Sequence, residues 1–129
     1  MKKFAAFFLA CAILFTTAFA LPINTGIMPH TGYFDTPVTV AAGKTWTSSK
    51  YDIEGAANYV FLDVILVDGG HVSVELYGSN SLSGAGIKVG TISTSGTNNL
   101  SVRHNYSYYH FKVINNSKQE STALVMLYT

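Results

Sequence analysis

The chain has 129 residues, 48% of them hydrophobic and only 12% charged, with eight Lys and Arg against seven Asp and Glu. Charges this few and this scattered form no basic stripe, which excludes nucleic acid as a partner and electrostatic docking on an anionic membrane. A single cysteine excludes an internal disulfide framework, so stability must come from packing.

The first element in chain order is an export signal. Lys2 and Lys3 supply a positive n-region, an uncharged apolar run extends from Phe4 to Phe15, and Thr16–Ala20 places Ala18 and Ala20 at the −3 and −1 positions of a cleavage site. The stretch is at the short limit for a bilayer span, about 17–25 residues, and has no positive stop-transfer flank, so cleavage is favoured over an anchor. Residues 1–20 are therefore read as a secretory signal peptide. Cys11 leaves with it, and the mature chain from Leu21 keeps six basic and seven acidic residues and no cysteine. Such a product fits a bacterial surface or medium. It is expected to be secreted, extracellular or cell-surface, with no membrane attachment after cleavage.

Residues 21–35 hold two prolines and two glycines without periodicity and read as an extended N-terminal arm. Residues 36–129 read as one domain built of strands. Val38 and Val40 alternate with small residues, and Gly43 turns the chain into Lys44–Ser48 with Trp46. Glu54–Ala57 is the only helix-like bend. Asn58–Val67 is a long β-branched and aromatic run, and Asp68-Gly69-Gly70 after it predicts a hairpin into His71–Tyr77. Gly78–Gly86 is a polar loop, followed by strands over Ile87–Ser93 and Asn99–His104. Asn105-Tyr106-Ser107 is a tight connection to Tyr108–Asn115. The polar loop Asn116–Glu120 then joins that strand to Thr122–Tyr128 as a pair. No segment keeps a 3.6-residue apolar period. About eight short strands at this spacing predict an all-β, antiparallel two-sheet β-sandwich, jelly-roll or Ig-like.

Two strands depart from the half-buried pattern. In Tyr59–Val67 both faces are apolar apart from Asp63, and in Ala123–Tyr128 both faces are apolar throughout. A free two-layer sandwich should wet one face of each. Either a loop or the arm covers the second face, or it is a surface for self-association or a partner. Asp63 then lies at a wet rim or requires a partner such as Lys112 or Arg103.

Chemistry is sparse. Ala42-Gly43-Lys44-Thr45 lacks the first glycine of a phosphate-binding loop. A symmetric turn about Ser107 would make His104 and His110 cross-strand neighbours, which is half a metal site with no third ligand at zinc spacing. Asp52 and Glu54 offer oxygens for calcium but lack the alternating acidic spacing of a dedicated loop, so they read as solvated charges. No catalytic constellation is present, and no cofactor is implied. Aromatic residues remain. Tyr106, Tyr108, His110 and Tyr77 form the candidate binding patch, since tyrosine offers an apolar ring and a hydrogen-bonding tip to a sugar or a partner surface. Tyr109 and Trp46 are expected in the core. The sequence thus points to a non-enzymatic exported β-sandwich acting by binding or self-assembly at the cell surface or in the extracellular matrix, as a homo-oligomer or with a surface partner. A small carbohydrate-binding module is the alternative, with a glycan on the tyrosine and histidine platform.

Overall fold

The computed structural model describes residues 31–68, 70–94 and 97–129. Residues 1–20, read as a signal sequence, and residues 21–30 of the arm lie outside them. Nine strands form: β1 (Gly32–Val40), β2 (Thr45–Thr47), β3 (Tyr51–Asp52), β4 (Tyr59–Leu66), β5 (Val72–Ser79), β6 (Ile87–Thr94), β7 (Thr97–Arg103), β8 (Tyr108–Ile114) and β9 (Ser121–Tyr128). They make two antiparallel sheets. One has the order β1-β9-β4-β7, the other β2-β8-β5-β6, with β3 also paired to β8. The protein is an all-β sandwich.

β2 and β3 lie against the same strand, with Trp46 opposite Val113 and Tyr51 opposite Tyr109. They act as one strand interrupted at Ser48–Lys50. Ser48 keeps the break attached: its N–H donates to the Phe111 carbonyl and its hydroxyl accepts from the Phe111 N–H, each at 2.9 Å. Counted this way, eight strands nest as successive pairs: β1 with β9, β2/β3 with β8, β4 with β7, and β5 with β6. That nesting is a long antiparallel ribbon rolled on itself, the jelly-roll order rather than the Ig-like one.

The nesting corrects the tight connections expected from sequence. Asp68-Gly69-Gly70 does not close a hairpin, because β4 and β5 belong to opposite sheets. The Asp68 carboxylate instead ties the corner to β9, accepting from the Thr122 N–H at 2.8 Å and from Gly70 N–H and the Ser121 hydroxyl at 3.1 Å each. Asn105–Ser107 and Asn116–Glu120 likewise lead from one sheet to the other. Among the described residues only β5 and β6 form a hairpin of sequential strands. The last four residues read as arm also differ: β1 begins at Gly32 and pairs with β9 along its length.

The core lies between the sheets. Val60, Leu62 and Val64 of β4 and Ala123, Val125 and Leu127 of β9 face Val74 and Leu76 of β5 and Tyr109, Phe111 and Val113 of β8, all fully buried. Period-two alternation produces this, since each second residue of a strand points to one face. Phe34, Trp46 and Phe111 close one side, with ring centroids 5.1–5.7 Å apart. Tyr109 is fully buried in the core, and Trp46 is partly buried against it. Among the described residues no helix is long and apolar enough to cross a membrane.

Candidate functional site

The outer face of the five-stranded sheet carries three of the four aromatic candidates. Even-numbered residues of β8 point outward, so Tyr108, His110 and Lys112 stand in a row beside Tyr77 and Glu75 of β5, with Tyr77 opposite His110 and Glu75 opposite Lys112. The Tyr77 and His110 rings stack at 5.1 Å, nearly parallel. Lys112 Nζ lies 5.0 Å from the Tyr77 ring centroid, a cation–π contact. The Tyr77 hydroxyl donates to Glu75, whose carboxylate also meets Lys88 at 3.7 Å. These contacts raise the Tyr77 pKa, chiefly through the hydrogen bond to Glu75.

His110 is only 6% exposed. Its Nδ1 is buried without a hydrogen-bond partner among the described residues. Burial, then the charges of Lys50 and Lys112, push its pKa below the usual imidazole value. Lys50 leaves the break between β2 and β3 and donates its ammonium protons to the carbonyls of Ser81 at 3.1 Å, Leu82 at 2.9 Å, and Gly84. It thereby straps the β5–β6 loop to the sheet.

Tyr106 stands apart from this row. Its ring packs on Gly78, where any Cβ would collide with it, and meets the Tyr109 ring edge-on at 6.1 Å. The structure therefore gathers Tyr77, Tyr108 and His110 on one face and gives Tyr106 to the end of the core. The His104–His110 pairing is corrected as well. β7 and β8 lie in different sheets, and His104 Nδ1 instead meets the Ala57 carbonyl at 2.9 Å. Among the described residues no group of three or more His, Cys, Asp or Glu converges as a metal site. Of the two residues weighed for calcium, Glu54 accepts from the hydroxyls of Thr31 at 3.0 Å and Thr129 at 3.1 Å.

The four-stranded sheet presents a different surface. Its outward rows run Asp35–Met126–Asp63–Asn99 and Pro37–Leu124–Ile65 across the sheet, with Tyr128–Phe61–Ser101 beside them. Phe61, Ile65, Leu124, Met126 and Tyr128 are half-buried by one another, and Tyr59 at the margin is 44% exposed. No described segment covers them. Phe61 stacks on Tyr128 at 5.2 Å. Asp63 takes neither Lys112 nor Arg103. It accepts the Tyr128 hydroxyl at 2.9 Å, and that tyrosine's pKa is pushed up to about 12 by burial, the hydrogen bond and the carboxylate's charge. Both apolar strands are thus explained: one face of each fills the core and the other forms the centre of an outer surface. Sequence reasoning named these strands but missed Tyr128 as the partner of Asp63. The signal was their antiparallel pairing, which only the roll topology reveals.

No protein-family model matches the chain, and comparison with curated proteins finds no match. Solved structures do match. The PBSX exported protein XepA aligns with a TM-score of 0.61 and 12% identity over 78% of this chain and 37% of its own. PirA aligns at 0.51 and 13%, over 79% of this chain and 99% of its own. A carbohydrate binding module from Cellvibrio mixtus lichenase 5A, solved with cellotriose, gives 0.45 and 13% over 77% and 89%. The chain spans little more than a third of XepA. What XepA and PirA share with it is the fold alone.

Proposed function

We propose that the protein is an exported, non-enzymatic β-sandwich that acts by self-association at the cell surface or in the extracellular matrix, using the outer face of the four-stranded sheet. One observation carries this: Phe61, Ile65, Leu124, Met126 and Tyr128 form an apolar centre no described segment covers. Polar Asp35, Thr39, Asn99 and Ser101 flank it on the outer strands. An apolar centre with a polar rim is the anatomy of a protein interface. The signal sequence supports export, and an exported protein shares the fold. The glycan reading has less support at the residues first suggested, because His110 is buried and Tyr106 is committed to packing on Gly78.

Sedimentation of residues 21–129 over a range of concentrations tests the proposal. Dimers or larger species are expected, reverting to monomer in Leu124→Lys and Met126→Lys while the β-sheet dichroism is kept. A strict monomer at the highest concentration refutes it.

A further inference from the structure

A second feature lies at one end of the sandwich, away from both faces just described. A cavity of about 460 Å³ opens between three loops, bounded by Asp52, Ile53, Asn80, His104, Asn105 and Tyr106. That volume falls in the range of about 300–1,000 Å³ occupied by small-molecule sites.

The walls are held in place before any ligand arrives. Buried Tyr109 sends its hydroxyl into the 103–107 loop, where it accepts the N–H groups of Asn105 at 3.1 Å and Tyr106 at 3.3 Å and donates to the Arg103 carbonyl at 3.2 Å. His104 N–H donates to the Asn58 carbonyl at 3.1 Å, and Ile53 N–H to the Ser107 carbonyl at 3.0 Å. Ser107 N–H donates to Asn80 Oδ1 at 3.0 Å. Each loop is thereby bonded to another, and the ordering entropy of a ligand site is already spent on the fold.

Polar valences are left over around this frame. His104 uses Nδ1 on the Ala57 carbonyl, which fixes the ring as a donor there and leaves Nε2 as an acceptor. Asn80 uses its oxygen and keeps its amide N–H pair. The side chains of Asp52 and Asn105 make no hydrogen bond among the described residues. Donors and acceptors are thus mixed, with the half-buried ring of Tyr106 beside them.

We infer that this cavity binds the end of a neutral saccharide chain. The chemistry separates that class from others. One carboxylate and no lysine or arginine line it, which disfavours phosphate or another anion. Asp52 is the single carboxylate in the lining, too little charge for the carboxylate-rich oxygen shell calcium takes. An extended peptide needs a long free sheet edge with alternating pockets, whereas β3 is two residues long and the lining is mostly polar. Vicinal hydroxyls, by contrast, donate to carboxylate and imidazole and accept from amide N–H groups at the same time.

The test titrates short cello-, xylo-, laminari- and chito-oligosaccharides, and separately calcium chloride, into the isotope-labelled protein while amide resonances are followed. Saccharide is expected to shift residues 52–57, 80 and 104–107. Asn105→Ala, which removes no bond within the fold, is expected to weaken binding about tenfold, the worth of one hydrogen bond, at unchanged melting temperature. Tyr77→Ala and Tyr108→Ala on the open face leave the affinity as it was. The inference is overturned if no sugar shifts these amides, if calcium alone does, or if Asn105→Ala binds as tightly as the parent. None of these outcomes touches the self-association of the opposite sheet, which sedimentation reads separately.

Discussion

At the scale of single residues, buried His110 and half-buried Tyr128 make stability depend on pH at opposite ends of the scale. An unpaired buried polar atom costs about 1–3 kcal/mol, and His110 Nδ1 is one, between the charges of Lys50 and Lys112. Its pKa in the fold lies below the unfolded value of about 6.5, so the folded protein binds this proton more weakly than the unfolded chain. The associated stability is complete above about pH 6.5 and is lost as pH falls below it. Denaturant melts should therefore show a decline from about pH 7 to pH 5 that His110→Phe flattens. Asp68, held below the usual carboxylate range by the N–H groups of Gly70 and Thr122, acts only at still lower pH. Tyr128 sets the alkaline limit. Its pKa is raised to about 12, so the stability it carries is intact below about pH 10 and is lost as pH rises through 12. In an absorbance titration of tyrosinate, Tyr128→Phe should delete the step near pH 12, and Asp63→Asn should move it down. A parent chain whose tyrosines all ionise together near pH 10 would contradict this.

At the scale of elements, Lys50 and Asn115 do the work that glycine-rich turns do in simpler sandwiches. The Lys50 ammonium is surrounded by the carbonyls of Ser81, Leu82 and Gly84, replacing water along a polar loop. Lys50→Met should leave the strands protected but accelerate hydrogen exchange in the β5–β6 loop, since only the strap is lost. Asn115 is fully buried and fully bonded. Its amide donates to Val40 and Gln119 carbonyls at 2.9 and 2.8 Å, and its oxygen accepts from Ser117 N–H at 3.0 Å and hydroxyl at 2.7 Å. Asn115→Ala leaves those partners unmatched and should cost about 2 kcal/mol or more in a urea melt. These elements also show what could be read from the chain. Alternation located the inner faces of β5 and β8 because burial repeats every second residue, whatever the partner strand; in β4 and β9 both faces are apolar, and the pattern alone could not choose between them. Turn chemistry did not locate the connections. Asp68 and Gly70 suit a hairpin locally, yet β4 and β5 both carry unbroken inner apolar faces, and two such faces gain most by opposing each other across the core. The same crossing parted His104 from His110 and took Tyr106 out of the aromatic patch, so residues adjacent in sequence around Ser107 serve a core end, a cavity wall and an outer face. The cavity itself left no trace in sequence, since its parts come from three loops that only the fold brings together.

At the scale of the whole molecule, the roll makes the last strand the keystone of a sheet. β9 lies between β1 and β4 and contributes Ala123, Val125 and Leu127 to the core. It cannot add to a neighbour's edge without dismantling its own sheet, so any assembly that keeps the fold must use a face or an outer strand. The outer strand β1 is itself poorly suited, because Pro37 offers no N–H for a ladder. The apolar face of the four-stranded sheet is the surface that the proposal above uses. The topology also governs folding. Pairing β1 with β9 closes a loop of nearly the whole domain, and contacts of such long sequence separation place folding in the millisecond-to-second range of all-β domains. Without disulfides nothing restrains the unfolded chain before that closure. A chain ending at Glu120 should consequently lack β dichroism and expose its core to dye, because both neighbours of the missing strand lose their partner. A synthetic peptide spanning residues 121–129 should restore the sheet signal when added in trans, at a rate that rises with peptide concentration. Native-like dichroism and a cooperative melt in the truncated chain alone would show that the sheet closes without β9, and that the nested order of strands does not hold the molecule together.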